Sequence, residues 1–178
     1  DGPTHLYNSS LLNIFGDSVF LQQFLNRNNA FLPNHLSHWL LQALLNWFDF
    51  LTAEKIFISL IVIFLPITFR LMIKALTNEH AFYSFLVFPL VFTNLLQNGF
   101  YNFSLGFVFF NLHVFLVAEI IKGKNSTLNW VLLLFNSVLM YYCHLFGFAI
   151  ALLICSNFIL IVFWKNKKKT FKNLGLFL

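Results

Sequence analysis

Of 178 residues, 59% are hydrophobic and only 10% are charged, with 26 phenylalanines and a mean hydropathy of +0.76. Soluble domains carry roughly 25% charged residues, so this composition excludes an ordinary water-soluble domain and predicts an integral membrane protein. The net charge of +5 does not imply nucleic acid as a partner, because the basic residues stand at the ends of apolar runs, where they report orientation across a bilayer.

The apolar runs are unbroken rather than alternating, which argues for helices over barrel strands and predicts an all-α, polytopic transmembrane helix bundle. Cys143 and Cys155 both lie inside apolar runs and read as small buried hydrophobes, with no disulfide framework or zinc spacing. "DGPTHLYN" at the start has neither the basic head nor the apolar core of a secretory signal, and the chain reads as a piece of a larger protein.

In chain order, residues 1–32 are mixed, with breaks at "NRNN" and Gly16-Asp17. Short helices are expected near 4–15 and 18–25, with Thr4 as N-cap and Gly16 as C-cap. Next comes "PNHLSHWLLQALLNWFDF", in which His35, His38, Gln42, Asn46 and Asp49 fall on one helical stripe and leucines and tryptophans fill the rest. Such a stripe suits an amphipathic helix lying in the membrane interface. A true span with its polar stripe turned to other helices is the competing reading.

Five apolar segments follow, at about 56–76, 80–96, 103–121, 128–143 and 145–164. The last two run together, and as one helix residues 128–164 would be about 55 Å long against a hydrocarbon core of about 30 Å. A break is therefore expected at "CHLFGF", near His144 and Gly147. The expected organisation is an extracytoplasmic loop over 1–54, five transmembrane helices over 55–164, and a basic cytoplasmic segment over 165–178 with the chain continuing beyond it. With 34–50 at the interface and the first loop outside, every Lys and Arg except Arg27 and Lys55 falls on the cytoplasmic side. A crossing 34–50 with the first loop inside satisfies the later charge clusters equally well.

Under the interfacial topology the polar residues collect on the outer side: Asp1, His5, His35, His38, the "QNGFYNFSLG" turn and His144. Each also has a plainer reading. The histidine pair 35/38 reads more simply as the wet stripe of an interfacial helix, although its spacing also suits metal ligation. Asn98, Tyr101 and Asn102 read as turn formers, and His113 and Asn111 as hydrogen bonders between helices. His144, at a bend inside an apolar stretch, must face water, a ligand or another helix. Glu119 is spaced to pair with Lys122, and the lysine run 165–172 is a topology signal that attracts anionic lipid.

This layout resembles the N-terminal half of the GT-C fold glycosyltransferases, the polytopic enzymes related to protein O-mannosyltransferases and lipid A aminoarabinose transferases. An aspartate heads the first outer loop, "PNHLSHWLLQALL" opens an amphipathic helix, a span ends in Arg70, and an outer "NGFYNFSLG" turn precedes a helical hairpin. The family's first helix would end just before Asp1. The chain departs from the family pattern at Pro33-Asn34-His35, at Asn98/Tyr101/Asn102, where relatives carry a second acid, and at His144, where a lysine is common.

The resemblance implies transfer of a sugar from a polyprenyl-phosphate carrier to an acceptor at the outer membrane face. It implies Asp1 as the catalytic base or as a carboxylate near a divalent cation. It implies His5, His35, His38, Tyr101, Asn102 and His144 as substrate-binding candidates, with Asp1, His35 and His38 the candidates for a metal. The implied partners are membrane lipid and the lipid-linked sugar; the Phe-, Asn-, Ile- and Lys-rich composition suggests a bacterium with an AT-rich genome, and the expected location is the bacterial inner membrane with the active face periplasmic or extracellular. A transporter fragment or a non-enzymatic membrane scaffold is the rival, and a polar group near the bilayer midplane would mark the former.

Overall fold

The computed structural model describes residues 2–27, 32–77, 81–123 and 126–174, apart from the side chains of 81, 162–163 and 165–174. Among the described residues every regular element is a helix. Two helices, Phe50–Thr77 and Tyr101–Ile121, are long and apolar enough to cross a membrane.

Helix α1 spans Gly2–Ile14 and α2 Val19–Phe24. Thr4 therefore lies inside α1 and does not cap it. Gly16 falls in the turn that follows, where the Asp17 N–H donates to the Ile14 carbonyl. The cap that does form is at Ser18, whose hydroxyl accepts the Leu21 N–H at 3.3 Å.

Helix α3 covers Leu36–Leu45 and stops well before residue 50. At ten residues it is about 15 Å long, half of a hydrocarbon core. A turn through Asn46 and Trp47 leads to Asp49, which begins the next helix, α4 (Phe50–Thr77). Asp49 accepts the Thr52 N–H at 3.0 Å and the Thr52 hydroxyl at 2.8 Å. Those two bonds hold its carboxyl below the usual carboxylate range.

The segment expected as a span over 80–96 is broken. It forms a 3-10 stretch over Ala81–Val87, then two short helices, α5 (Phe88–Val91) and α6 (Asn94–Gln97). Pro89 explains the first boundary, since it has no N–H to continue a preceding helix. Thr93 explains the second, its hydroxyl accepting the Leu96 N–H at 3.3 Å.

Helix α7 (Tyr101–Ile121) is the central column, packed most extensively on α4 and then on α8 (Thr127–Cys143) and α9 (Leu145–Leu174). Residues 128–164 break at His144, as the length argument requires. One core cluster joins Leu6 of α1, Leu36 and Leu41 of α3, Phe57 and Ile61 of α4, Tyr101 and Leu105 of α7, and Cys143. It lies directly beneath the polar groups that follow.

Candidate functional site

The site lies where α1 and α3 cross the start of α7. On α1, Leu6 and Ser9 are buried against the bundle, and the Ser9 hydroxyl donates to the His5 carbonyl at 2.7 Å. His5 points to α3, where its Nδ1 lies 3.1 Å from His38 Nε2 and 3.3 Å from the Ser37 hydroxyl. Burial lowers the pKa of both imidazoles. His38 falls to about 4, with His5 and His35 adding to the burial effect and the Asn34 backbone opposing it. That backbone makes no well-formed bond to His38 Nδ1, which is buried without a partner among the described residues.

Asn102, the second residue of α7, is 5% exposed and works as a clamp. Its Oδ1 accepts the Ser37 N–H at 2.9 Å, and its Nδ2 donates to the Asn34 carbonyl at 2.7 Å. His35, the N-cap of α3, makes no side-chain cap bond, so α7 supplies the cap that α3 lacks. Asn34 sits at φ 64°, a left-handed conformation that asparagine tolerates better than most side chains. Tyr101, next to Asn102, donates its hydroxyl to the Glu54 carboxylate of α4 and stands with its ring 5.6 Å from that of His5.

His144 belongs to both helices it separates. As C-cap of α8 its N–H donates to the Met140 carbonyl at 2.9 Å, while its Nδ1 accepts the Gly147 N–H of α9 at 3.2 Å. Its ring meets Phe103 edge-on at 5.1 Å.

These groups border an open cleft of about 490 Å³ lined by His5, His38, Asn102 and His144 together with Asn34, Leu95, Phe100 and Phe103. An apolar cavity of about 170 Å³ shares Phe103 and His144 with it and continues along Gly106 and Gly147.

Four of the sequence candidates thus meet in one cavity. Tyr101 and His35 support its surroundings instead. The His35 N–H donates to the Tyr142 carbonyl at 2.9 Å, and its Nδ1 bonds the Pro33 carbonyl at 2.9 Å. Asp1 lies outside the described residues.

His38 is half-buried: α1 lies against one side of it, and the rest of the ring lines the cavity. The His35 and His38 rings are 5.9 Å apart, and His35 Nδ1 is taken up by the Pro33 carbonyl. Among the described residues no group of three or more His, Cys, Asp or Glu is placed to hold a metal.

Ser37 and Glu54 are residues the sequence reading missed. Ser37 carries no signal in the sequence, whereas Glu54, an acid at the loop-side end of a long apolar helix, could have been noticed. His113 behaves as expected. It is buried at the α7–α8 contact, 3.5 Å from Asn136 Nδ2, which also donates to the Phe109 carbonyl at 3.0 Å. No protein-family model, curated protein or solved structure matches this chain.

Proposed function

We propose that the chain is part of a polytopic membrane glycosyltransferase of the GT-C type, which moves a sugar from a polyprenyl-phosphate carrier to a hydroxyl acceptor at the outer face of a bacterial inner membrane. The observation that carries this reading is the gathering of His5, His38, Asn102 and His144, from α1, α3, α7 and the α8–α9 break, around one cavity at one end of an apolar bundle. A cavity with a few convergent polar groups set in apolar walls is the usual form of a small-molecule site.

The exterior supports placement in lipid. Leu134, Phe135 and Leu153 are 70%, 60% and 64% exposed, and large apolar side chains cover the outward faces of α4, α8 and α9. Exposed apolar surface on this scale belongs in hydrocarbon, not water. The apolar cavity beside His144 supports this reading, since a lipid chain there would run next to the pocket proposed for phosphate and sugar.

In the proposed reaction the acceptor hydroxyl attacks the anomeric carbon. Its oxygen forms the new glycosidic bond, the bond from that carbon to the carrier phosphate breaks, and the phosphate leaves with the electron pair. Asp1 receives the hydroxyl proton, a task that requires a carboxylate within hydrogen-bond reach. Neutral imidazoles of His5, His38 and His144 and the Asn102 amide orient the sugar hydroxyls and phosphate oxygens.

The test measures transfer of labelled sugar from the polyprenyl-phosphate pool in membranes containing the full-length protein. Asp1→Asn is expected to cut transfer by about 10²–10⁴-fold at unchanged protein level. Undiminished transfer would overturn the role of Asp1, and absence of transfer by the unaltered protein would overturn the reading.

A further inference from the structure

Between α4, the broken segment over 81–97 and α7 lies a further cavity of about 320 Å³, which shares no lining residue with the histidine cleft. Its walls are apolar, with Phe69 of α4, Val91 of α5 and Phe107 of α7 among them, and no charged side chain lines it among the described residues. Two polar residues of α7 nevertheless border it: Ser104, 7% exposed, and Asn111, 5% exposed. The Ser104 hydroxyl is buried without a hydrogen-bond partner among the described residues. The Asn111 amide makes no hydrogen bond among them either, so it does not join helices as its place in mid-span suggested. An unpaired buried hydroxyl or amide costs stability, and a bound molecule that bonds both removes that cost.

The walls define the ligand. It is uncharged, because nothing in the cavity would pair a buried charge. Its bulk is about twice that of benzene, which fills a cavity of about 150 Å³, and flat rings suit the aromatic walls. It carries two oxygens, one for each polar group. Ser104 and Asn111 stand seven residues apart on one face of α7, about 10.5 Å along its axis, with side chains that lean the same way. Opposed carbonyl oxygens of a six-membered quinone ring are about 5 Å apart, counting two C=O lengths and the ring. A hydrogen bond of about 2.8 Å at each end extends that span to about 11 Å, which matches. A lipid alcohol has one oxygen and reaches one partner. Lipid esters stay at headgroup level, whereas Asn111 lies ten residues, about 15 Å, from the start of α7 and so half-way through a hydrocarbon core.

We propose that Ser104 and Asn111 form a binding site for the ring of a membrane-dissolved para-quinone. The Ser104 hydroxyl donates to one carbonyl oxygen and Asn111 Nδ2 to the other, with the ring against Phe69 and Phe107. The site holds the ring and transfers nothing to it. Binding here is measurable whether or not the protein transfers sugar, so the two readings fail separately.

The experiment uses the full-length protein purified in detergent and dialysed against labelled tetramethyl-para-benzoquinone, with protein-free micelles as the blank. About one equivalent should bind beyond the blank, the single site that Ser104 and Asn111 define. Tetramethylbenzene, the same ring without oxygens, and the ortho isomer of the quinone, whose oxygens are adjacent, should bind at least about tenfold more weakly. The para-quinone should lose at least about tenfold on Ser104→Ala or Asn111→Leu. Each substitution removes an unpaired polar group, so both variants should unfold no earlier than the unaltered protein, and their weakened binding is then a local effect. Binding no greater than the blank, equal binding of tetramethylbenzene or the ortho isomer, undiminished binding by either variant, or earlier unfolding of either variant would each overturn the proposal.

Discussion

A methyl group built on Gly2 would lie 2.7 Å from the Tyr101 hydroxyl and 3.2 Å from a Glu54 carboxylate oxygen. The start of α1 therefore rests on a tyrosine–glutamate pair, and the tyrosine ring is itself packed 5.3 Å from Phe57. With that ring fixed from behind, Gly2→Ala must push α1 away, at a cost typical of overpacking, about 1–3 kcal/mol. Faster hydrogen exchange confined to α1 would register the loss, and unchanged exchange would refute it. Asn102→Ala should act on α3 instead. It strands the buried Ser37 N–H, at a cost of about 1–3 kcal/mol, while the carbonyl of exposed Asn34 can turn to water. Thermal unfolding and exchange at the first turn of α3 would measure it. The candidates legible in the sequence were the polar residues conspicuous against apolar neighbours, such as His38 and His144. Ser37 was not, and neither was the pairing of Tyr101 with Glu54, because these contacts join residues distant in the chain.

Among the elements, α3 shows what periodicity can and cannot tell. Its periodic stripe of polar residues outruns the helix, since α3 ends at Leu45 and leaves Asn46 and Asp49 beyond it. Period alone does not say what a polar face meets, and here α1 packs against part of His38. The α8–α9 break is a different case, since it followed from length alone and from the one histidine available to end the run. Its capping geometry has a pH consequence. His144 Nδ1 accepts a backbone N–H, and burial lowers its pKa from the ordinary 6.5. A depressed folded-state pKa means the cap is at full strength above pH 6.5 and is lost as pH falls through the folded value, where the proton displaces the Gly147 bond. Protection of the Gly147 amide should thus fall as pH drops through the lowered His144 value in the unaltered protein, and that step should be absent in His144→Asn, which caps without titrating. The other titratable groups facing the same cavity, His5 and His38, remain in the variant and set the comparison. The segment over 81–97 was less legible, because Pro89 and Thr93 interrupt it while its apolar composition reads as continuous.

For the whole molecule, unbroken apolar runs pointed to an all-helical protein, which the structure shows, while the packing of α4, α8 and α9 around α7 was not legible in them. The orientation proposed above has a direct check. Cysteine placed at Gln23, exposed on α2, should react with an impermeant reagent added outside cells, and cysteine at Lys122 only after permeabilisation. The native thiols at Cys143 and Cys155 are buried and should stay silent. The reverse pattern would place the histidine cavity in the cytoplasm. Asn102 is rooted in the central column yet grips the turn that carries the imidazoles. Because Asn102 holds the Ser37 N–H and the Asn34 carbonyl, the first turn of α3, and His38 with it, is anchored to the column rather than to its own loop.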